Sequence, residues 1–326
     1  MKPFRFVPAI CVAAVCALAL TGCGKKQTTI LVFHADSLNL PFGALAEAYQ
    51  RDNPDVVVRR ETGGSLMMAR NVAELGRYCD ILAVSDYRIL DNLVIPEHAD
   101  WQLLFSSNEM VVAYTGMSRG GGDIGPDNWY EVLLRPDVQY AHSDPNLDPS
   151  GLRAHLCWKL SSFHYKDAFE GDLYEALRDG CDPRNIRPDA NQILPLLESV
   201  GGVDYLFTYR SVAEQHHLQY IRLPEEVNLG NPAMAEQYGL AEIEVTDIKG
   251  KVTRWQGAPI AYGLTVPNCS RAPEAAIRFI EFIISDEGKE ILRQMHHPLI
   301  DPPLRKGTNI PATLLAITVL EEGQPR

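Results

Sequence analysis

Three points along the 326-residue chain put hydroxyl or carboxylate side chains at the expected start of a helix. Ser37 lies in FHADSLNLPF (33–42), Ser65 follows Gly63 and Gly64 in TGGSLMMAR (62–70), and Asp148, Pro149 and Ser150 follow one another in SDPNLDPSGLR (143–153). Ser and Asp at such positions accept hydrogen bonds from the free N–H groups of the first turn, and Pro suits that turn. The same termini present unpaired N–H donors and the positive end of a dipole, which together hold anions. Taken singly, each residue reads as a cap. Taken together, with two glycines that let backbone approach a ligand, they point to an anion site.

Asp36 sits awkwardly in that site, a carboxylate at a turn suited to an anion. Three roles are open to it. It could point away and cap the helix while its backbone N–H serves the ligand. It could face the pocket as an added acceptor, protonated or bonded to a ligand O–H. Or it could mark a changed ligand, cationic or neutral. Arg153, just inside the third helix, could support the pocket or pair with an acid. The adjacent pairs His216-His217 and His296-His297 point their rings different ways, which suits surface or structural roles better than a shared metal. No G-x-S-x-G, H-E-x-x-H, Walker or dinucleotide fingerprint occurs. Ser65 has no spaced His base, so an exported hydrolase is only the alternative from another class; the chain is not read as an enzyme, and no cofactor is expected.

The elements that would position these residues alternate. TTILVF, DVVVRR, CDILAV, VQYAH and VDYLFTY read as strands, and PFGALAEAYQRD, SLMMARNVAEL, PSGLRAHLCWKLSSFHY and PDANQILPLLESVG as helices. The alternation predicts an α/β protein with mainly parallel sheets. Strand-like segments at 109–115 and 258–266 are candidate crossovers between two lobes, placing residues 28–115 and 260–326 in lobe 1 and 116–259 in lobe 2. APEAAIRFIEFIISDEGKEILRQM (272–295) repeats its apolar residues at helical spacing, with a break near Ser285-Asp286.

A formal net charge of −12, with no basic run, excludes nucleic acid as a partner. Lys2 and Arg5 precede the apolar run VPAICVAAVCALAL and then Leu20-Thr21-Gly22-Cys23. This reads as a lipoprotein signal peptide over residues 1–22, with lipidation at Cys23. Such a chain is exported and anchored on a membrane, in the periplasm or at the outer face of the cell membrane, without crossing it. Cys79, Cys157, Cys181 and Cys269 remain, widely spaced and without a C-x-x-C; most are expected as buried thiols.

Several blocks, in order, resemble the tungstate/molybdate-binding proteins of ABC transporters, the archaeal-type subfamily. FHADSLNLPF is similar to the AGSL-PF pattern, TGGSLMMAR to SGS-R, RYCDILAVSDY to an aspartate-rich strand and SDPNLDPSGLR to DPxxDPxGYR. LPEEVNLGNP (223–232) is similar to LPxEINL, and APIAYGLTVP to IxYGxTxP. The resemblance spans most of residues 28–305. It implies a two-lobe periplasmic-binding-protein fold of type II, joined by two crossover strands and closing on an oxyanion. By motif, the pocket would use Asp36, Ser37 and Ser65 from lobe 1, and Asp148, Pro149, Ser150, Glu226 and Tyr238 from lobe 2. Asp36 stands where Gly is usual, Ser150 where Cys is common and Leu152 where Tyr is common.

Carboxylates beside an anion need a chemical reason. Sulfate has no valence left for a protein carboxylate, so Asp148 and Glu226 would only repel it. Tungsten(VI) and molybdenum(VI) can expand their coordination, and both are hard and oxygen-seeking. The resemblance implies that Asp148 and Glu226 bond the metal while hydroxyls and amides hold its oxo groups. The implied partners are a small oxyanion, a permease with its ATPase and, through Cys23, a membrane, with the protein a monomer. A binding protein for sulfate, thiosulfate or phosphate is the nearer alternative, and a lipoprotein that senses or scaffolds without transport is a third class.

Overall fold

The computed structural model describes residues 27–321 apart from 200, 247–249 and 251. The expected signal peptide and Cys23 lie outside the described residues. Among the described residues, no helix is long and apolar enough to cross a membrane.

The strands, in chain order, are β1 Thr28–Ala35, β2 Val56–Gly63, β3 Ile81–Val84, β4 Trp101–Ser107, β5 Met110–Tyr114, β6 Tyr140–Ser143 and β7 Ile186–Arg187. They continue as β8 Tyr205–Tyr209, β9 Gln219–Arg222, β10 Glu242–Thr246, β11 Val252–Gln256, β12 Ala261–Thr265, β13 Leu299–Gly307 and β14 Val319–Leu320. One seven-stranded sheet has the order β14-β13-β4-β12-β3-β1-β2; a five-stranded sheet has β7-β6-β8-β5-β9; β10 and β11 form a separate hairpin. Each large sheet is the floor of one lobe. Buried strands such as ILAV (81–84) and YLFTY (205–209) read as unbroken apolar runs, as expected where helices cover both faces.

The sheets are mixed rather than mainly parallel. The β1–β2 and β1–β3 pairs are parallel, but β12 runs antiparallel to both β3 and β4. In the second sheet β5 runs antiparallel to β8 and β9. The cause is the double passage between lobes: the chain leaves after β4, enters the other sheet as β5, and returns to the first sheet as β12. Neither crossover strand is shared between lobes. All of β5 pairs within the five-stranded sheet and all of β12 within the seven-stranded one. The passages are therefore the short segments 108–109 and 257–260, and residues 110–115 sit with lobe 2.

Five helices matter for the site: α1 Asn39–Asp52, α2 Ser65–Ala73, α3 Tyr87–Leu93, α4 Trp129–Leu133 and α5 Pro149–His164. Pro41 and Pro149 fall in first turns, where a missing N–H loses nothing. α5 is buried nearly all round, because it lies between sheet and seam. Trp158 anchors it edge-on to Phe207 of β8, with ring centroids 5.3 Å apart. The helix expected over PDANQILPLLESVG is only a 3₁₀ turn, Ala190–Gln192, and a short helix, Leu194–Leu197. Asp189 accepts the Gln192 N–H and Pro195 keeps the two pieces apart. Cys79, Cys157 and Cys181 are buried free thiols; Cys269 is free and exposed.

The first turn of α5 packs directly on the end of β6. A Cβ at Gly151 would stand 1.7 Å from the Ser143 carbonyl oxygen, a backbone atom that cannot swing aside. Gly151→Ala is expected to destabilise the protein by about 1–3 kcal/mol, measured by urea denaturation, with the second lobe losing cooperativity first.

Candidate functional site

The three helix starts do converge, at the seam between lobes. Ser37 lies in a 3₁₀ turn, Asp36–Leu38, that leads from β1 into α1. Ser65 opens α2 straight after β2, and Asp148 is the residue before Pro149 in α5. All four side chains, with Asp36, are buried: Asp36 is 4% exposed, Ser37 3%, Ser65 0% and Asp148 0%. The Ser65 hydroxyl accepts the Ser85 N–H at 3.0 Å and shares a hydrogen bond with the Ser85 hydroxyl at 3.2 Å. Ser37 Oγ accepts from the Tyr262 hydroxyl at 3.1 Å, and Asn108 Nδ2 donates to Tyr262 Oη at 3.1 Å.

The lobes touch through backbone at this seam. Met67 N–H donates to Leu147 O at 3.4 Å, and Arg70 Nη1 donates to Asn146 O at 3.0 Å. A Cβ at Gly64 would meet Leu147 O at 2.4 Å, so glycine is what lets these two segments approach. Arg153 crosses from α5 into lobe 1. Its Nη1 donates to Ser85 O and to Tyr209 Oη, both at 2.7 Å, and its Nη2 lies 3.1 Å from Asp86 Oδ2. Burial pushes the Asp86 carboxyl upward, but Arg88 and Arg153 beside it hold it down at about 2. Of the two roles open to Arg153, it takes the pairing with an acid, Asp86, and its charge also bears on Asp148 at the pocket.

Asp36 does not point away. Its Oδ1 accepts the Ser37 N–H at 2.8 Å, and its Oδ2 accepts the Ala190 N–H of the other lobe at 2.9 Å. Its φ lies outside the left-handed region, so the position does not demand glycine. Burial, then the nearby Asp148 and Asp189, raise its carboxyl well above the usual range. Asp148 differs in kind. Neither of its oxygens makes a hydrogen bond of good geometry, and the hydroxyls of Ser143 and Ser150 are likewise buried without one, although the Ser143 hydroxyl and the Ser150 amide stand close enough to act on the carboxyl. Burial lifts the Asp148 carboxyl to about 7; the neighbouring Ser143 hydroxyl, Ser150 amide and Arg153 oppose that rise, and Asp189 adds to it. Buried polar groups are normally paired, so this cluster is the strongest sign of a binding function. Among the described residues, no group of three or more His, Cys, Asp or Glu side chains could hold a metal ion.

Glu226 and Tyr238 do not join this cluster. Tyr238 Oη donates to Glu225 O at 2.6 Å and accepts the Asn231 N–H at 3.1 Å, so it fastens the 225–231 loop. Glu226 is half-buried, and its charge acts on Tyr165, the residue that ends α5. Asp148 stands at the opposite end of that 16-residue helix, roughly 24 Å away along its axis. Motif order put Glu226 on the ligand; the path of the loop puts it elsewhere, and the acids that do lie near Asp148 are Asp36 and Asp189.

Several seam residues were not singled out from sequence. Ser85 and Asp86 stand inside RYCDILAVSDY, and Tyr262 inside APIAYGLTVP, so signals for them existed. The Ala190 amide had none, since a backbone donor leaves no mark in residue type. Of the paired histidines, His297 is buried, held near 4 by that burial, and packs edge-on against Tyr262 with ring centroids 5.2 Å apart. His296 is exposed and reaches Glu214 of the other lobe at 3.1 Å.

Two sheets joined by two short passages, with buried polar groups at the seam, define a two-lobe solute-binding protein. The chain belongs to the bacterial extracellular solute-binding protein family, whose model matches residues 30–296. It is 43% identical over 282 residues to an uncharacterized solute-binding protein of Petrotoga mobilis, covering 86% of each chain. It is 36% identical to the molybdate/tungstate-binding protein WtpA of Thermococcus kodakarensis, covering 92% of this chain and 91% of that one. Among solved structures, the Azotobacter vinelandii periplasmic molybdate-binding protein superposes with a TM-score of 0.55 at 14% identity, over 82% of this chain and 98% of that one. The sulfate-binding protein SubI of Mycobacterium tuberculosis gives 0.59 at 16%, over 84% and 88%. At these identities the structural likenesses speak for the fold.

The Asp148 carboxyl has a testable pH signature. From about pH 4 to about 7 the folded protein keeps a proton that the unfolded chain has lost, so unfolding free energy falls as pH rises through that window and levels off above it. Relative to Asp148→Asn, the melting temperature of the wild-type protein without ligand is expected to decline over this window and stay flat beyond it. Parallel melting curves for the two proteins would count against the buried, protonated carboxyl.

Proposed function

We propose that the protein captures tungstate or molybdate at the seam and delivers it to an ABC transporter permease. The observation that carries this reading is Asp148, a wholly buried carboxyl with both oxygens unpartnered beside two unpartnered hydroxyls. Once ionised, Asp148 would repel an anion that only accepts hydrogen bonds. A tungsten or molybdenum oxyanion can instead take a carboxylate oxygen as a further ligand, since the metal is hard and can expand its coordination. Asp148 supplies that bond. The hydroxyls of Ser37, Ser65 and Ser150 and the amides at the starts of α1, α2 and α5 hold the oxo groups. Glu226 is left out of the ligand set, because it lies toward the other end of α5. The likeness to a named molybdate/tungstate-binding relative at 36% identity over most of both chains supports the same choice of solute.

Capture draws the lobes together only by as much as the ligand prefers the closed form. The same reading makes the protein an exported lipoprotein held at a membrane through Cys23, with a permease and its ATPase as partners. No chemistry on the anion is involved beyond a reversible change of coordination.

Titration calorimetry on the protein from Gly24 onward tests the choice of solute. Tungstate and molybdate should bind and sulfate should give no heat. Asp148→Ala should lose about 2–5 kcal/mol of binding, thirtyfold or more in Kd, with the fold intact by circular dichroism. Equal heats from sulfate and molybdate, or undiminished binding in Asp148→Ala, would sink the expanded-coordination reading.

A further inference from the structure

The donors that Asp36 uses belong to the site itself. The Ser37 amide lies within the 3₁₀ turn that leads into α1, and the Ala190 amide comes from the opposite lobe. One donor from each lobe, converging within hydrogen-bond distance of one anionic group, is the arrangement by which a two-lobe protein would grip an oxyanion. Here the acceptor that meets both donors is the protein's own side chain. The Asp36 carboxylate is buried, bridges the seam, and lies near Asp148, the unpartnered acid assigned above to the ligand. Charged groups close by on the other packed elements are Asp189 and, on α5, Arg153, whose guanidinium is already engaged by Asp86, Ser85 and Tyr209. Among the groups that act on Asp36, none is a cation that would offset an anion placed beside it.

We propose that Asp36 is an internal competitor for the oxyanion site: its carboxylate holds the Ser37 and Ala190 amides, and an incoming oxyanion binds by displacing it. The inference rests on the oxyanion reading given above. Displacement gives up the two hydrogen bonds that the Asp36 carboxyl accepts before the ligand can take up the same two amides, so the ligand gains little from them. Asp36 thus lowers affinity, and holds the lobes together with no solute bound.

Position 36 can be changed without forcing the backbone, since its φ is one that any residue adopts. Asp36→Gly removes the competitor; Asp36→Asn keeps the shape and retains one acceptor for the two amides. In calorimetry with molybdate, Asp36→Gly should bind on the order of tenfold tighter than wild type, with Asp36→Asn between the two. Small-angle scattering without ligand should show Asp36→Gly more open than wild type, and molybdate should close it again. Binding in Asp36→Gly equal to or weaker than in wild type, while wild type binds molybdate, would overturn the competitor and leave the oxyanion reading standing. No binding by wild type and by both variants, each folded by circular dichroism, would overturn both.

Discussion

A buried carboxylate is expensive to keep ionised away from water, and this protein gathers Asp36, Asp86, Asp148 and Asp189 along one seam. The rest of the seam divides that burden. Asp86 is neutralised by two guanidinium groups, Arg88 and Arg153. Asp36 and Asp189 are held by amides. Of the four, Asp148 alone has no hydrogen bond of good geometry. The inequality is informative, because a protein that invests in partners for three acids and withholds them from a fourth has kept that fourth for something else.

The fold explains how residues more than a hundred positions apart in the chain reach one seam. Parallel β1–β2 and β1–β3 pairing points strand ends in a common direction, and the turns after β1, β2 and β3 deliver Ser37, Ser65 and Ser85 to the same rim. In the second lobe, β6 hands the chain to the turn that ends at Asp148, and β8 delivers Tyr209. Ligands of open α/β sheets collect outside such strand ends. The return through β12 adds Tyr262 from an antiparallel neighbour, and its hydroxyl links Ser37 to Asn108 at the first passage between lobes.

Much of this was legible in the chain. Strands such as TTILVF and CDILAV announce themselves by composition, and glycine or serine at a helix start announces a donor-rich terminus. What escaped did so for physical reasons. β13 contains Pro302 and Pro303, which argue against a strand; the register shift between Leu299 and Leu304 accommodates them. The segment around Ala190 has helical periodicity but is broken by Pro195. Glu226 stood in a motif yet lies away from the seam, because residue order says little about the path of a loop. Asp36 was recognised as out of place, but its two amide partners could be found only in three dimensions.

The contact between Gly64 and Leu147 sets a different kind of limit. The lobes meet there main chain to main chain, with no side chain at position 64 to compress or rotate. A stop built from peptide groups is stiff, and its position does not drift when neighbouring side chains are exchanged. The gap between the jaws is then a property of the backbone, like the throat of a calliper. Neighbouring side chains can then alter which groups the seam offers without altering how closely the two lobes approach.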